Sequence, residues 1–204
     1  MQVTCRFDAK DAVNKLNAIK ANLGDRCLTR TVNEVAKKAK TQMSSVIRDT
    51  YNVRADLVRE RLQVRLAVGG RNATFTAYVV GNAGAKGRDS LNFIRFIDSK
   101  ATIKAFKRGH DMRLDQLRFT IKKSKPGVIH KGAFVGNQGR TVFERTGKPS
   151  ARNPKREGIK PVYSIGVLGM FSTRKNIAEV QRQIMVEMPV IMQRNVRYYL
   201  STVR

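Results

Sequence analysis

Between Leu28 and Ile47 the apolar side chains Leu28, Val32, Val35, Ala36, Ala39, Met43, Val46 and Ile47 recur at three- and four-residue steps. Five turns of that spacing define one long amphipathic helix, beginning near Asp25, whose apolar face has to be covered. Lys37, Lys38, Lys40 and Arg48 fall on its other faces. A second long helix is predicted over about residues 174–201, where Ile177, Val180, Ile184, Met188, Ile191 and Val196 return at three- to five-residue steps. Pro189 lies inside it and is expected to kink it.

The remaining segments are shorter. QVTCRF (residues 2–7) alternates like a strand. A helix capped by Asp8 or Asp11 follows, with Val13, Leu16 and Ile19 on one face and an end near Gly24. After YNV, ADLVRERL reads as a third helix. QVRLAV and ATFTAYVV alternate around Gly69, Gly70 and Asn72, which is the pattern of a β-hairpin. GNAGAKGRDS is loop, and LNFIRFI fits strand or helix. RFTIKKSK, GVIHKGAFVG and RTVFER are strand-like, and PVYSIGVLGM is read as extended because Pro161 disfavours helix at its start. Helices, then strands, then a helix make the fold class α+β: N-terminal helices, an antiparallel β-sheet with a projecting basic loop, and a long C-terminal helix.

Charge narrows the partners. The 204 residues hold 41 Lys and Arg against 15 Asp and Glu, a net charge of +26. A 41% hydrophobic fraction is enough for a core, so the chain is not a disordered basic tail. Such an excess calls for a polyanionic or acidic partner: nucleic acid, an anionic membrane surface or an acidic protein face. From Gln116 to Ile177 there are fourteen Lys or Arg and only Glu144 and Glu157. Phe134 and Phe143 are interleaved with these cations. They suit stacking on single-stranded nucleic acid, but their place in alternating segments favours core packing.

Enzymatic signatures are missing. His110 and His130 stand apart, without a neighbouring Cys or His, so neither a zinc site nor a His-based triad is expected. GNAGAKGR lacks the order of a phosphate-binding loop, and the carboxylates are scattered. No cofactor, no metal and no catalytic residue is expected. Cys5 and Cys27 are too few for a disulfide framework and are read as free thiols. No signal-peptide stretch or membrane span is visible, so a soluble protein made in the cytosol is expected.

Two stretches carry a resemblance. TRTVNEVAKKAKTQMSSVIRDTYNVRADLVRERLQVRLA combines a basic, Ala-containing helix, a Tyr-Asn break, a short Val-Arg helix and a basic strand. KGAFVGNQGRTVFERTGKPSARNPKREGIKPVYSIGV combines a Gly-Ala-Phe phrase, a Gly turn, a Val-Phe-x-Arg strand, a basic loop and an apolar strand near a proline. In this order they resemble the tailed-phage minor tail protein Z family, also called tail completion proteins. The resemblance covers about residues 25–200, with a variable inserted segment at 83–115, and implies a single domain over 1–204.

The resemblance implies a non-catalytic virion protein at the head-proximal end of a phage tail, in the neck, assembled in the host cytoplasm. It implies a self-assembled ring, commonly a hexamer, beside tail terminator, tail tube and head–tail connector proteins. The basic segment 139–160 is then expected to project as an arm. Its Arg140, Arg145, Lys148, Arg152, Lys155, Arg156 and Lys160 are expected to meet an acidic partner ring or genomic DNA in the channel. The alternative is a sequence-independent nucleic-acid-binding protein, whose affinity would come from phosphate contacts and fall steeply with salt.

Overall fold

The computed structural model describes residues 9–20, 22–68, 76–81, 89–97, 118–129 and 132–202. The expected strand at 2–7, most of the 83–115 segment, Cys5, His110 and His130 lie outside the described residues. Two 28-residue helices dominate, α2 (Leu23–Thr50) and the C-terminal α5 (Arg174–Ser201). Each is about 42 Å long at 1.5 Å per residue. They pack along one another because their apolar stripes match: Val35 meets Met188 and Ile191, with Val32 and Ile184 beside them. Helix α5 continues through Pro189.

Polar side chains mark the register of this pair. Asn195 Nδ2 donates to Thr31 Oγ1 (3.1 Å), and the Thr31 hydroxyl donates to the Cys27 carbonyl (2.8 Å). Thr31 and Asn195 are almost fully buried, so a slip of one turn would strand both without partners. Cys27 is a free, buried thiol. Burial raises its pKa, against smaller opposing effects of Thr31 and Arg30.

Glu34 sits at the edge of the seam between Arg30 (3.1 Å) and Arg194 and also accepts from Asn195. Burial disfavours its charged form. The Arg30 hydrogen bond, the Arg194 charge and the Asn195 bond outweigh this and hold the carboxyl below its ordinary value of 4.5. A depressed carboxyl pKa stabilises the fold above that value and loses its effect as pH falls through the lower folded-state value. Glu34→Gln is therefore expected to cost about 1 kcal/mol at neutral pH, a partly exposed ion pair being modest. Denaturant titrations should show wild type and variant converging on acidification; a gap that persists in acid would contradict this account.

Helix α1 (Lys10–Ile19) crosses the start of α2 and buries Leu16 against Leu23, Cys27 and Met192. Gly24 does not end α1; it lies in the first turn of α2. A Cβ there would stand 2.5 Å from the Val13 carbonyl, so glycine allows the close crossing. Its free N–H is satisfied by Asn17 Oδ1 (2.8 Å).

Helix α3 (Ala55–Arg61) leads into β1 (Leu62–Arg65), which pairs antiparallel with β2 (Tyr78–Gly81). The rest of the sheet structure is fragmented. β3 (Leu91–Asn92) runs into a 3-10 turn, Phe93–Phe96, and pairs with β9 (Tyr163–Ser164). β4 (Arg118–Phe119) pairs with β5 (Val128–Ile129). β6 (Ala133–Gly136), β7 (Thr141–Pro149) and β8 (Glu157–Pro161) form a three-stranded meander. Among the described residues all the pairings are antiparallel, and they make four small sheets rather than one.

The main core lies where these sheets meet the second half of α2 and the first half of α5. Ile47, Tyr51, Val58, Phe96, Phe119, Val142, Met170 and Val180 are buried there. Leu91 and Phe96, from the described part of the 83–115 segment, belong to it.

The extended reading of PVYSIGVLGM holds only to Ser164. Residues Val167–Phe171 form a short helix, α4. The reason lies far away in the chain: the Asp89 carboxylate accepts the N–H groups of Leu168 (3.1 Å) and Gly169 (3.2 Å). Those first-turn donors would otherwise be orphaned.

Candidate functional site: a basic hairpin

The segment expected to be a basic loop is mostly strand. β7 runs to Pro149 and β8 returns from Glu157, in a register that pairs Phe143 with Pro161, Glu144 with Lys160 and Arg145 with Ile159. Toward the tip the register shifts, and Pro149 faces Glu157. The shift is accommodated at Gly147, whose φ of 68° is in the left-handed region that suits glycine. Glu157 Oε1 accepts the Gly147 N–H (2.9 Å), and the Thr146 hydroxyl donates to the Gly158 carbonyl (3.1 Å).

The tip, residues 150–156, is closed by local chemistry. Ser150 N–H donates to the Arg156 carbonyl (2.8 Å), and Arg156 N–H to the Asn153 carbonyl (3.0 Å). Asn153 Oδ1 accepts the Lys155 N–H (3.1 Å). Asn-Pro at the first two positions of a four-residue turn suits both residues: Asn bonds its own backbone ahead, and Pro154 presets φ.

This geometry divides the seven expected contact residues into three groups, all exposed. Arg145 and Lys160 lie midway along the hairpin and are paired internally, Arg145 with Glu157 (3.4 Å) and Lys160 with Glu144 (2.8 Å). Arg152, Lys155 and Arg156 lie in the tip and Lys148 beside it at the end of β7, and none of them has an ion-pair partner among the described residues. Arg140 is separate. It lies in the β6–β7 turn, at the other end of β7, roughly 25 Å from the tip at about 3.3 Å per residue.

Phe134 and Phe143 are not core residues. They face each other across β6 and β7 with ring centroids 5.9 Å apart, half-buried, on the face opposite Ala133, Val135 and Val142. The Arg145 guanidinium lies 5.6 Å from the Phe134 ring centre. The pleat sends alternate residues to opposite faces, so a core containing Val135 and Val142 excludes Phe134 and Phe143.

Two asparagines that carried no signal in the sequence position this hairpin and its surroundings. Asn92 bonds to Val142, Val162 and Ile94 at the root of β7 and β8. Asn33 exchanges two hydrogen bonds with Ala67 and so ties the end of β1 to α2. Asn92 and Arg95 are the two polar residues of the otherwise apolar run LNFIRFI, and that interruption is the hint the sequence offers for Asn92.

Among the described residues no His, Cys, Asp and Glu cluster suited to a metal ion occurs. Among them, too, no helix is long and apolar enough to cross a membrane.

Two matched long helices, small antiparallel sheets and a cationic hairpin with its own hydrogen-bonded tip define an α+β protein with a concentrated basic surface. The family model of the prophage minor tail protein Z (GPZ) matches residues 8–204, and the chain belongs to that family. Neither the curated proteins nor the solved structures gave a match. Membership gives the chain a structural role in a phage tail, places it in the virion, and implies contact with other virion components.

Proposed function

We propose that this chain forms a ring, of six copies, at the head-proximal end of the tail, and that the ring makes that end competent to join the head. Its neighbours there are the tail terminator, the tube and the head–tail connector. The contact is made by the hairpin tip, whose Lys148, Arg152, Lys155 and Arg156 engage an acidic partner face or the DNA in the channel.

The observation that carries this reading is the tip itself: four cations without a carboxylate partner among the described residues, on a hairpin whose other cations are paired. Charge also argues for a joined state. Six copies bring together roughly 150 positive charges, six times the chain's +26, and such a ring repels itself until something acidic neutralises it. An image of the virion neck decorated with a tagged chain tests the placement. Label along the tube or at the distal tip, and none at the neck, would refute it.

The same tip favours one other reading, a sequence-independent nucleic-acid binder. Four phosphate contacts would give a salt slope of about −3.6, at roughly 0.9 per contact. Tight, stoichiometric gel shifts at low salt would select that reading. A ring component binds free DNA weakly and without fixed stoichiometry.

A further inference from the structure

Helix α5 carries a second surface that the hairpin does not explain. On the side away from α2, Met185, Val186 and Val190 are 49%, 66% and 65% exposed. Pro189, also exposed, lies between them. Positions i, i+1, i+4 and i+5 make a compact apolar patch over two turns. Pro189 has no N–H, so the Met185 carbonyl on this face lacks its helical donor.

The charge around the patch differs from that of the rest of the chain. The stretch from Glu179 to Gln193 carries one arginine against two glutamates, a net −1 in a chain of +26. These charges are already matched within the subunit: Glu179 holds Arg182 (2.9 Å) and Glu187 holds Lys38 (3.0 Å). Two copies of so cationic a chain repel each other across most of their surfaces, and least where the central stretch of this helix meets itself.

The patch also lies at the midpoint of a helix that runs from Arg174 to Ser201. We propose that two copies of this chain pair through it, α5 against α5, antiparallel about a twofold axis close to Met188. Val186 of one copy then meets Val190 of the other, and the helices overlap along nearly their whole length. The same arrangement sets Glu179 of each copy opposite Arg197 of the other, so symmetry makes the complementary contact twice. Arg182 comes opposite Arg194; Arg194 keeps Glu34, and Glu179 is shared between Arg182 of its own copy and Arg197 of the other. A parallel arrangement would set like against like. Twofold contacts close on themselves, so this pairing is separate from the head-to-tail contacts of a ring and stands or falls without it.

Sedimentation of the full chain at moderate salt tests the pairing. Wild type should be a dimer, or a larger assembly of even order. Val186→Glu with Val190→Glu should halve the mass and weaken association by about tenfold or more, since two carboxylates would be buried in an apolar contact. Both positions are exposed in the single subunit, so helix content should not change, and the melting temperature should fall only by what association contributes, losing its dependence on protein concentration. Glu179→Arg and Arg197→Glu should each weaken pairing, and the two together should restore it. A mass unaffected by the valine changes, or a charge swap no better than its single parents, would overturn the proposal.

Discussion

Phage carrying Arg152→Glu, Lys155→Glu and Arg156→Glu together should accumulate as separate filled heads and finished tails. The three side chains are exposed at the tip and have no ion pair among the described residues to lose. The turn beneath them is held by backbone groups and by Asn153, none of which changes. The folded protein should therefore melt as wild type does, and tails should still contain it. What changes is the contact. Reversing a charge at an exposed interface turns an attraction into a repulsion, worth roughly 1 kcal/mol per position. Three such changes weaken each copy's contact by about 3 kcal/mol, on the order of a hundredfold. A ring repeats that loss in every copy, so joining should fail outright and titre should fall by at least that factor. Arg140→Glu is the control, because it lies at the far end of β7 and should leave joining nearly intact. A normal titre from the triple variant would remove the tip from the joining reaction.

The hairpin also shows what a sequence does and does not reveal. Helix α2 was readable because burial on one side of a helix imposes a period, and Leu28 to Ile47 keep it. The division of the β structure into four sheets was not readable, because β3, β4, β5 and β9 have two residues each and a two-residue strand has no period. Beyond Arg145 the hairpin strands are exposed, so the alternation that marks a half-buried strand is absent. They pair because Glu157 and Thr146 bond across them. The Asn153-Pro154 turn was in principle visible from local chemistry alone. Gly24 misled because a glycine after an apolar run usually ends a helix, whereas here it serves a crossing with Val13. Helix α4 depends on Asp89, and nothing local foretells a cap supplied from so far along the chain. The seven basic residues expected to make contacts stand close together in sequence. Their separation into paired, tip and remote groups required the strand register.

Asn92→Ala should be among the most destabilising single changes outside the apolar core, and the reason is its place in the hairpin root. In a regular antiparallel ladder Val142 and Val162 would exchange two hydrogen bonds. Only one is direct, from Val162 N–H to the Val142 carbonyl (3.0 Å). The other is replaced by the Asn92 side chain: its Oδ1 accepts the Val142 N–H (2.8 Å) and its Nδ2 donates to the Val162 carbonyl (2.9 Å). The amide thus acts as an extra peptide unit, and it also accepts from Ile94 N–H (3.1 Å). Alanine leaves the N–H of Val142, a fully buried residue, without that acceptor and removes three further bonds. An orphaned buried donor costs about 1–3 kcal/mol and each lost bond roughly 0.5–1.5. The surviving bonds to both carbonyls keep the total near 3 kcal/mol, or roughly 10 °C in melting temperature for a chain of this size. Asn92→Asp separates hydrogen bonding from packing. Its carboxylate still accepts from Val142, but it turns negative charge toward two carbonyls and donates nothing. Folding then favours the protonated acid, which raises its pKa, so the stability deficit grows as pH rises through the carboxylate range and shrinks in acid. Alanine at the same position should show no such dependence. Equal, pH-independent losses in the two variants would mean that Asn92 only fills space and that the hairpin is anchored by its apolar residues alone.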